Sequence, residues 1–146
     1  MDSDTQVKLE IYRYFAETAE APTVATLARR LGTDSDAVRR SFAALRAARV
    51  LYLEPDAETI RMAPPFSGVP TQHVVEIGAR RWFANCAWDA LGVVAALHQT
   101  ATVHSECAQS GAPLRLQVAT DGPEPCPWIF HSLVPAARWW DDLVFT

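Results

Sequence analysis

The residues best equipped for chemistry lie in one short run, Arg80-Arg81-Trp82-Phe83-Ala84-Asn85-Cys86-Ala87-Trp88-Asp89-Ala90-Leu91. From Cys86 to Leu97 the apolar positions Leu91, Val94, Ala95 and Leu97 recur among small residues, which predicts a mostly buried helix with Asn85 as its N-cap. A thiol in the first turn of that helix meets free N–H groups and the positive end of the helix dipole, both of which stabilise a thiolate and lower its pKa. Asp89, three residues on, shares the face. A neighbouring thiolate and the rings of Trp82, Phe83 and Trp88 raise a carboxyl pKa and keep it protonated near neutrality, as a general acid requires. A soft sulfur ligand beside a proton donor is the chemistry this implies. Spacing alone also fits a plainer role, with Cys86 a small core residue and Asp89 a group complementing the helix dipole.

The elements that must position these residues fall into two groups. Val7, Ile11, Tyr14 and Phe15 recur at helical spacing between Asp4 and Glu17. A second helix is expected over Thr23–Arg30, ending at Gly32, and a third begins at Thr33 or Asp34 and runs to about Ala48 with Val38, Phe42 and Leu45 inward. The runs 50–53 and 59–62, separated by Glu54-Pro55-Asp56-Ala57-Glu58, suit a hairpin. Three helices and a hairpin are the order of a winged helix. Pro64, Pro65, Gly68 and Pro70 mark a linker. Beyond it, 74–77 and 80–83 flank Gly78-Ala79, a two-residue loop with Gly first that favours a type II′ hairpin. After the Cys86 helix, 100–105, 114–119 and 128–134 read as strands, the first two joined by the turn-rich stretch 109–113. The expected fold class is α+β. A winged-helix-like module (1–63), a linker (64–72) and a small mixed α/β domain with a mostly antiparallel sheet (73–146) make up the chain.

The three cysteines, Cys86, Cys107 and Cys126, are 21 and 19 residues apart. Such an odd, widely spaced set builds neither a disulfide framework nor a structural zinc site, and free thiols in a reducing, cytoplasmic compartment fit better. Cys126 sits between Pro125 and Pro127, which suit a thiol held in an extended loop. His73, His98, His104 and His131 lack metal-ligand spacing and read as surface or satisfied core residues, with His98 capping carbonyls at the end of the Cys86 helix. The five tryptophans are core candidates first, although an alkyl or aryl substrate would need an apolar wall, and Trp88 and Trp82 stand nearest the thiol.

Net charge −4 argues against a polyanion as main partner. Arg39, Arg40, Arg46 and Arg49 on the third helix could follow phosphates, yet ten acidic residues outnumber nine basic ones through His73, so nucleic acid is disfavoured. No stretch approaches the length needed to cross a bilayer, and the polar N-terminus lacks the apolar core of a secretion signal, so no membrane association is expected.

The stretch Cys86-Ala87-Trp88-Asp89, following an aromatic-rich hairpin strand, resembles the organomercurial (alkylmercury) lyase family. A second segment, Thr100 to Pro113, is similar too, with Cys107 followed by Gly111-Ala112-Pro113. The likeness is clearest over 74–118, weaker in the helical half, and returns loosely over 132–146. The resemblance implies cleavage of a carbon–mercury bond: thiolates capture the organomercurial, Asp89 protonates the departing carbon, and a hydrocarbon and Hg(II) result. Cys86 would be the first thiol, holding the Hg product transiently, and Cys107 matches a family cysteine that looks structural. Soft thiolates suit a soft metal ion, and sulfur donation makes the carbon easier to protonate. Mercury is substrate and product, and no cofactor is implied. The resemblance leaves room for cellular thiols as partners.

In the family a second catalytic cysteine follows a Phe at a strand end, and Leu143-Val144-Phe145-Thr146 reaches that point without one. Three alternatives stay open: a chain truncated before it, Cys126 as the second thiol, or a homologue that does not cleave. The last would be a non-catalytic binder of mercury or thiol ligands, or a winged-helix regulator. A strand left without its continuation would expose a sheet edge and invite a homodimer.

Overall fold

The computed structural model describes residues 1–143, so the strand end expected at Val144-Phe145-Thr146 lies outside the described residues. Helix α1, Ser3–Thr18, starts where the Asp2 carboxylate accepts the Thr5 N–H and buries Val7, Ile11 and Phe15 on one stripe. Helix α2, Val24–Leu31, is capped by Thr23 and closed by Gly32 at φ +64. Helix α3, Ser35–Ala47, is capped by Asp34 and buries Val38, Phe42 and Leu45. These three helices match the expected positions closely. Glu10, itself buried, is held by Arg30 at 2.9 Å.

Strands β1 (Tyr52–Leu53), β2 (Ile60–Ala63) and β3 (Phe66–Ser67) form a three-stranded antiparallel sheet. Asp56 shapes the β1–β2 turn by accepting the amides of Glu58 and Thr59. Strand β3 falls inside the segment expected to be a linker. Its prolines, joined by a cis Pro64-Pro65 bond, precede a short strand that pairs back onto β2, and Phe66 and Ser67 are buried. Gly68 is required there: its N–H donates to the Arg61 carbonyl at 2.8 Å, and a Cβ would lie 2.0 Å from the Ile60 carbonyl oxygen.

The second sheet has the order β5-β4-β6-β7-β8, antiparallel throughout, built from β4 (Val74–Ile77), β5 (Arg80–Phe83), β6 (Ala101–Glu106), β7 (Pro113–Ala119) and β8 (Gly122–Pro123). Gly78 takes φ +60 and Ala79 does not take a positive φ, the sign pattern of a type II′ loop. Helix α4, Ala87–Leu97, crosses from β5 to β6 and buries Ala90, Val93 and Val94 against the sheet. It ends at His98, whose left-handed backbone directs its N–H at the Val94 and Ala95 carbonyls. A bridge between Phe66 and Ala84 links the two sheets.

The strand expected at 128–134 does not form. The edge of β7 is taken by β8 and by the Glu124 N–H, which donates to the Gln117 carbonyl. That edge is therefore closed to the apolar run that follows, and Ile129 and Leu133 are 89% and 79% exposed. A short 3-10 helix, Ala136–Asp141, closes the described chain.

One hydrophobic cluster runs through both halves, from Val7 and Phe42 to Val94 and Val118. Phe15 stacks on Phe66 at 5.2 Å between ring centres. Trp82 is buried, and its indole N–H donates to the Phe15 carbonyl at 2.7 Å. No described helix is long and apolar enough to cross a membrane.

Candidate active site

Cys86 stands where β5 has ended and α4 begins. It is the N-cap residue itself, in place of the expected Asn85, with extended backbone and its Sγ accepting the Asp89 N–H at 3.4 Å. The cap shifts by one position because Asn85 is engaged elsewhere. Its Nδ2 donates to Asp89 Oδ2 at 2.9 Å and to the Pro65 carbonyl at 3.3 Å, tying the start of α4 to the turn before β3. Gly92, in the second turn of α4, lets the helix rest on Pro65, whose Cβ would be 3.0 Å from a side chain there. Asn85 Oδ1 is buried without a hydrogen-bond partner.

Burial, the strongest influence, pushes the Cys86 thiol above its ordinary value. The Asp89 amide pulls it down, the Asp89 charge pushes it up, and the Trp88 amide pulls it down least. The lowered thiol pKa expected from the helix terminus is thus reversed: desolvation outweighs the amides. For Asp89 the expected direction holds, since burial raises the carboxyl pKa against the opposing hydrogen bond from Asn85. Tyr12 completes this floor from α1, donating to the Pro64 carbonyl at 3.0 Å, with its own ionisation hindered by burial and then by the Asp89 charge.

Beside the thiol opens a cavity of about 610 Å³. His73, Cys86 and Cys107 stand on its polar side, and Ile129, Phe130 and Leu133 supply an apolar one. Asp89 is not among the lining residues; its carboxyl faces Asn85. His73 Nδ1 lies 2.8 Å from Ser105 Oγ. The two aromatic walls expected at the site part company. Trp88 is half exposed and packs on Phe130 at 5.5 Å between ring centres, so it flanks the cavity through that ring. Trp82 faces the core, where its indole is bound to α1, and offers no free wall.

Cys126 is exposed and does not line the cavity, whereas Cys107 does. Sequence reasoning gave Cys107 no place at the site and missed the apolar wall of 129–134. The signal for that wall was an apolar run between Pro127 and Pro135, which fits an extended segment as well as a strand. On α3, Arg39 is held by Glu58 at 2.7 Å and Asp36 at 2.8 Å, so this arginine is not free to track phosphates. Among the described residues no group of three or more His, Cys, Asp or Glu is placed to hold a metal ion.

Comparison with known proteins gives this geometry a context. An alkylmercury lyase from Pseudomonas putida is 37% identical over 70 residues, covering 46% of this chain and 33% of that protein. A solved structure, the mercury-bound form of MerB2, superposes with a TM-score of 0.63 at 26% identity, covering 81% of this chain and 58% of the other. The chain therefore spans about a third of the curated relative's length and little more than half of the solved one's. The model of the MerB alkylmercury lyase family matches residues 66–146, more than half of the chain, and on that match the chain belongs to the alkylmercury lyase family.

Proposed function

We propose that this chain cleaves carbon–mercury bonds, with Cys86 capturing the organomercurial and Asp89 protonating the carbon that leaves. The observation that carries the reading is the pairing at the start of α4. Cys86 and Asp89 stand three residues apart at the half-buried start of one helix, joined by the bond from the Asp89 backbone N–H to Sγ, and burial favours the protonated carboxyl. A protonated Asp89 is the form that can deliver a proton. The raised thiol pKa is compatible with capture, because a soft metal ion displaces the thiol proton as it binds sulfur. Electron donation from sulfur through mercury then builds negative charge on carbon, which takes the Asp89 proton. Hydrocarbon leaves, and Hg(II) stays on sulfur until a cellular thiol removes it.

In this reading Asn85 positions the acid, and the cavity's apolar side, with Trp88 behind Phe130, receives the organic arm. Residues 1–63 act as a winged-helix-like buttress without a nucleic-acid role, 64–72 as the connection, and 73–146 as the catalytic part, working in the reducing cytoplasm. Cys126 as second thiol has the weaker support, being exposed and away from the cavity.

The test is to incubate reduced protein with phenylmercury and excess thiol, then measure benzene and protein-bound Hg(II). Cys86→Ser should abolish mercury capture. Asp89→Ala should preserve capture and stop benzene release. Both variants cleaving like the parent would remove these residues from the reaction, and a parent that binds mercury without releasing benzene would make the chain a binder.

A further inference from the structure

Asn85 is the only asparagine in the chain, and both hydrogens of its amide are committed at the start of α4. Its Nδ2 donates to Asp89 Oδ2 at 2.9 Å and to the Pro65 carbonyl at 3.3 Å. Because a carbonyl can only accept, Pro65 fixes which way round the amide stands, nitrogen toward it and oxygen away. Oδ1 is then buried with no hydrogen-bond partner among the described residues. A buried amide oxygen without a donor is costly and rare, and its presence is explained when a neighbouring group can supply the missing hydrogen.

The neighbour able to do so is Asp89. An ionised carboxylate only accepts, whereas the acid form carries one O–H to donate. The two carboxyl oxygens share one carbon, as do the amide nitrogen and oxygen. With the two planes aligned, an amide that donates to one carboxyl oxygen brings its own oxygen beside the other. We propose that Asn85 and Asp89 form a cyclic acid–amide pair, the Asp89 O–H donating to Asn85 Oδ1 while Nδ2 donates to Asp89 Oδ2, and that Asn85 is thereby the positioning residue that stores the proton. The pair is complete only when the carboxyl is protonated; on ionisation Oδ1 loses its donor and faces a negative oxygen. Burial acts in the same direction, raising the carboxyl pKa. The titratable groups that sense the Asp89 charge, Tyr12 on α1 and Cys86 at the head of α4, are acids themselves and supply no positive charge to hold a carboxylate.

Since the Asp89 carboxyl does not line the cavity, the pair holds the proton back from it. That the proton goes on to carbon rests on the proposed function. In that step the carboxyl leaves Asn85 and its O–H bond breaks. The electron pair of the carbon–mercury bond forms the new C–H bond, and Asp89 remains as a carboxylate that regains a proton from water before pairing again.

A single asparagine makes the pair directly visible. The chain is made by cell-free synthesis with asparagine carrying a heavy carbon isotope at Cγ. Its amide C=O stretch is followed by infrared spectroscopy from alkaline to acid pH without mercury, and circular dichroism checks the fold at each point. A carbonyl that gains a hydrogen bond stretches at lower frequency, so the band should fall as Asp89 takes up its proton, and Asp89→Ala should abolish the fall. A rise, which weaker N–H donation to the acid than to the carboxylate would give on its own, overturns the pair. So does a band that stays in place at every pH where the chain is folded, or a fall that survives in Asp89→Ala. Benzene release from phenylmercury by the parent separates the two readings. A falling band without benzene sinks the lyase and leaves the pair, and benzene without a fall does the reverse.

Discussion

The helical body and the chain beyond β8 are built on opposite terms. In α1, α3 and β3 the large residues Ile11, Phe15, Phe42 and Phe66 are almost wholly buried. In 128–133 Trp128, Ile129, Phe130 and Leu133 are all exposed, although their apolar character is comparable. The first region has a partner for each apolar face; the second covers a cavity on one side only. The contrast separates two kinds of segment: buried contacts of the body hold the start of α4 in place, and exposed residues supply the apolar side of the cavity.

That contrast can be broken experimentally. Phe15→Ala should cost about 3–5 kcal/mol, because it empties a stacked position shared by α1 and β3, and thermal melting would show it. Gly68→Ala should follow at about 1–3 kcal/mol, since a methyl group cannot fit beside the Ile60 carbonyl without moving β2 or β3; urea unfolding measures it. Asp89→Asn probes the boundary between the regions. With its carboxyl pKa raised on folding, Asp89 binds its proton more tightly in the folded chain than in the unfolded one. Its contribution to stability is present below the ordinary value of 3.8 and is lost as pH rises through the raised value. The Asn variant lacks that loss, so its stability relative to the parent should increase with pH through that window, and urea midpoints across pH should diverge accordingly. Phe130→Ala should change stability by less than about 0.5 kcal/mol, as expected for an exposed side chain, while weakening retention of phenylmercury more than of Hg(II). A large melting shift for Phe130→Ala would erase the contrast.

Features fixed by neighbours in sequence were legible beforehand. Thr23, Gly32 and Asp34 announce helix ends through their own chemistry, and Gly78-Ala79 sets a hairpin register that runs from Val74 opposite Phe83 to Ile77 opposite Arg80. Cys86 and Asp89 were legible as a pair because three residues on a helix is a local relation. What depended on distant residues was not. Strand β3 exists because β2 lies beside it, and its prolines signalled only a break. The direction of the Cys86 pKa depends on how deeply the corner is buried, which no local pattern states. The 128–134 run has strand character, but the β7 edge it follows is already taken by β8. Trp82 and Trp88 look alike in sequence, and only the position of α1 sends one to the core.

The hydrogen bond from Trp82 to the Phe15 carbonyl couples α1 to the strand that leads to Cys86. Phe15 O already accepts the Ala19 N–H at 2.9 Å, so the same oxygen ends α1 and anchors β5. The family's recognisable signature starts at residue 66, yet the strand leading to Cys86 is fastened to a helix that precedes it. The strand that leads to the thiol is therefore only as well placed as α1: a change that shifts that carbonyl, or the buried faces of Ile11 and Phe15, shifts β5 with it.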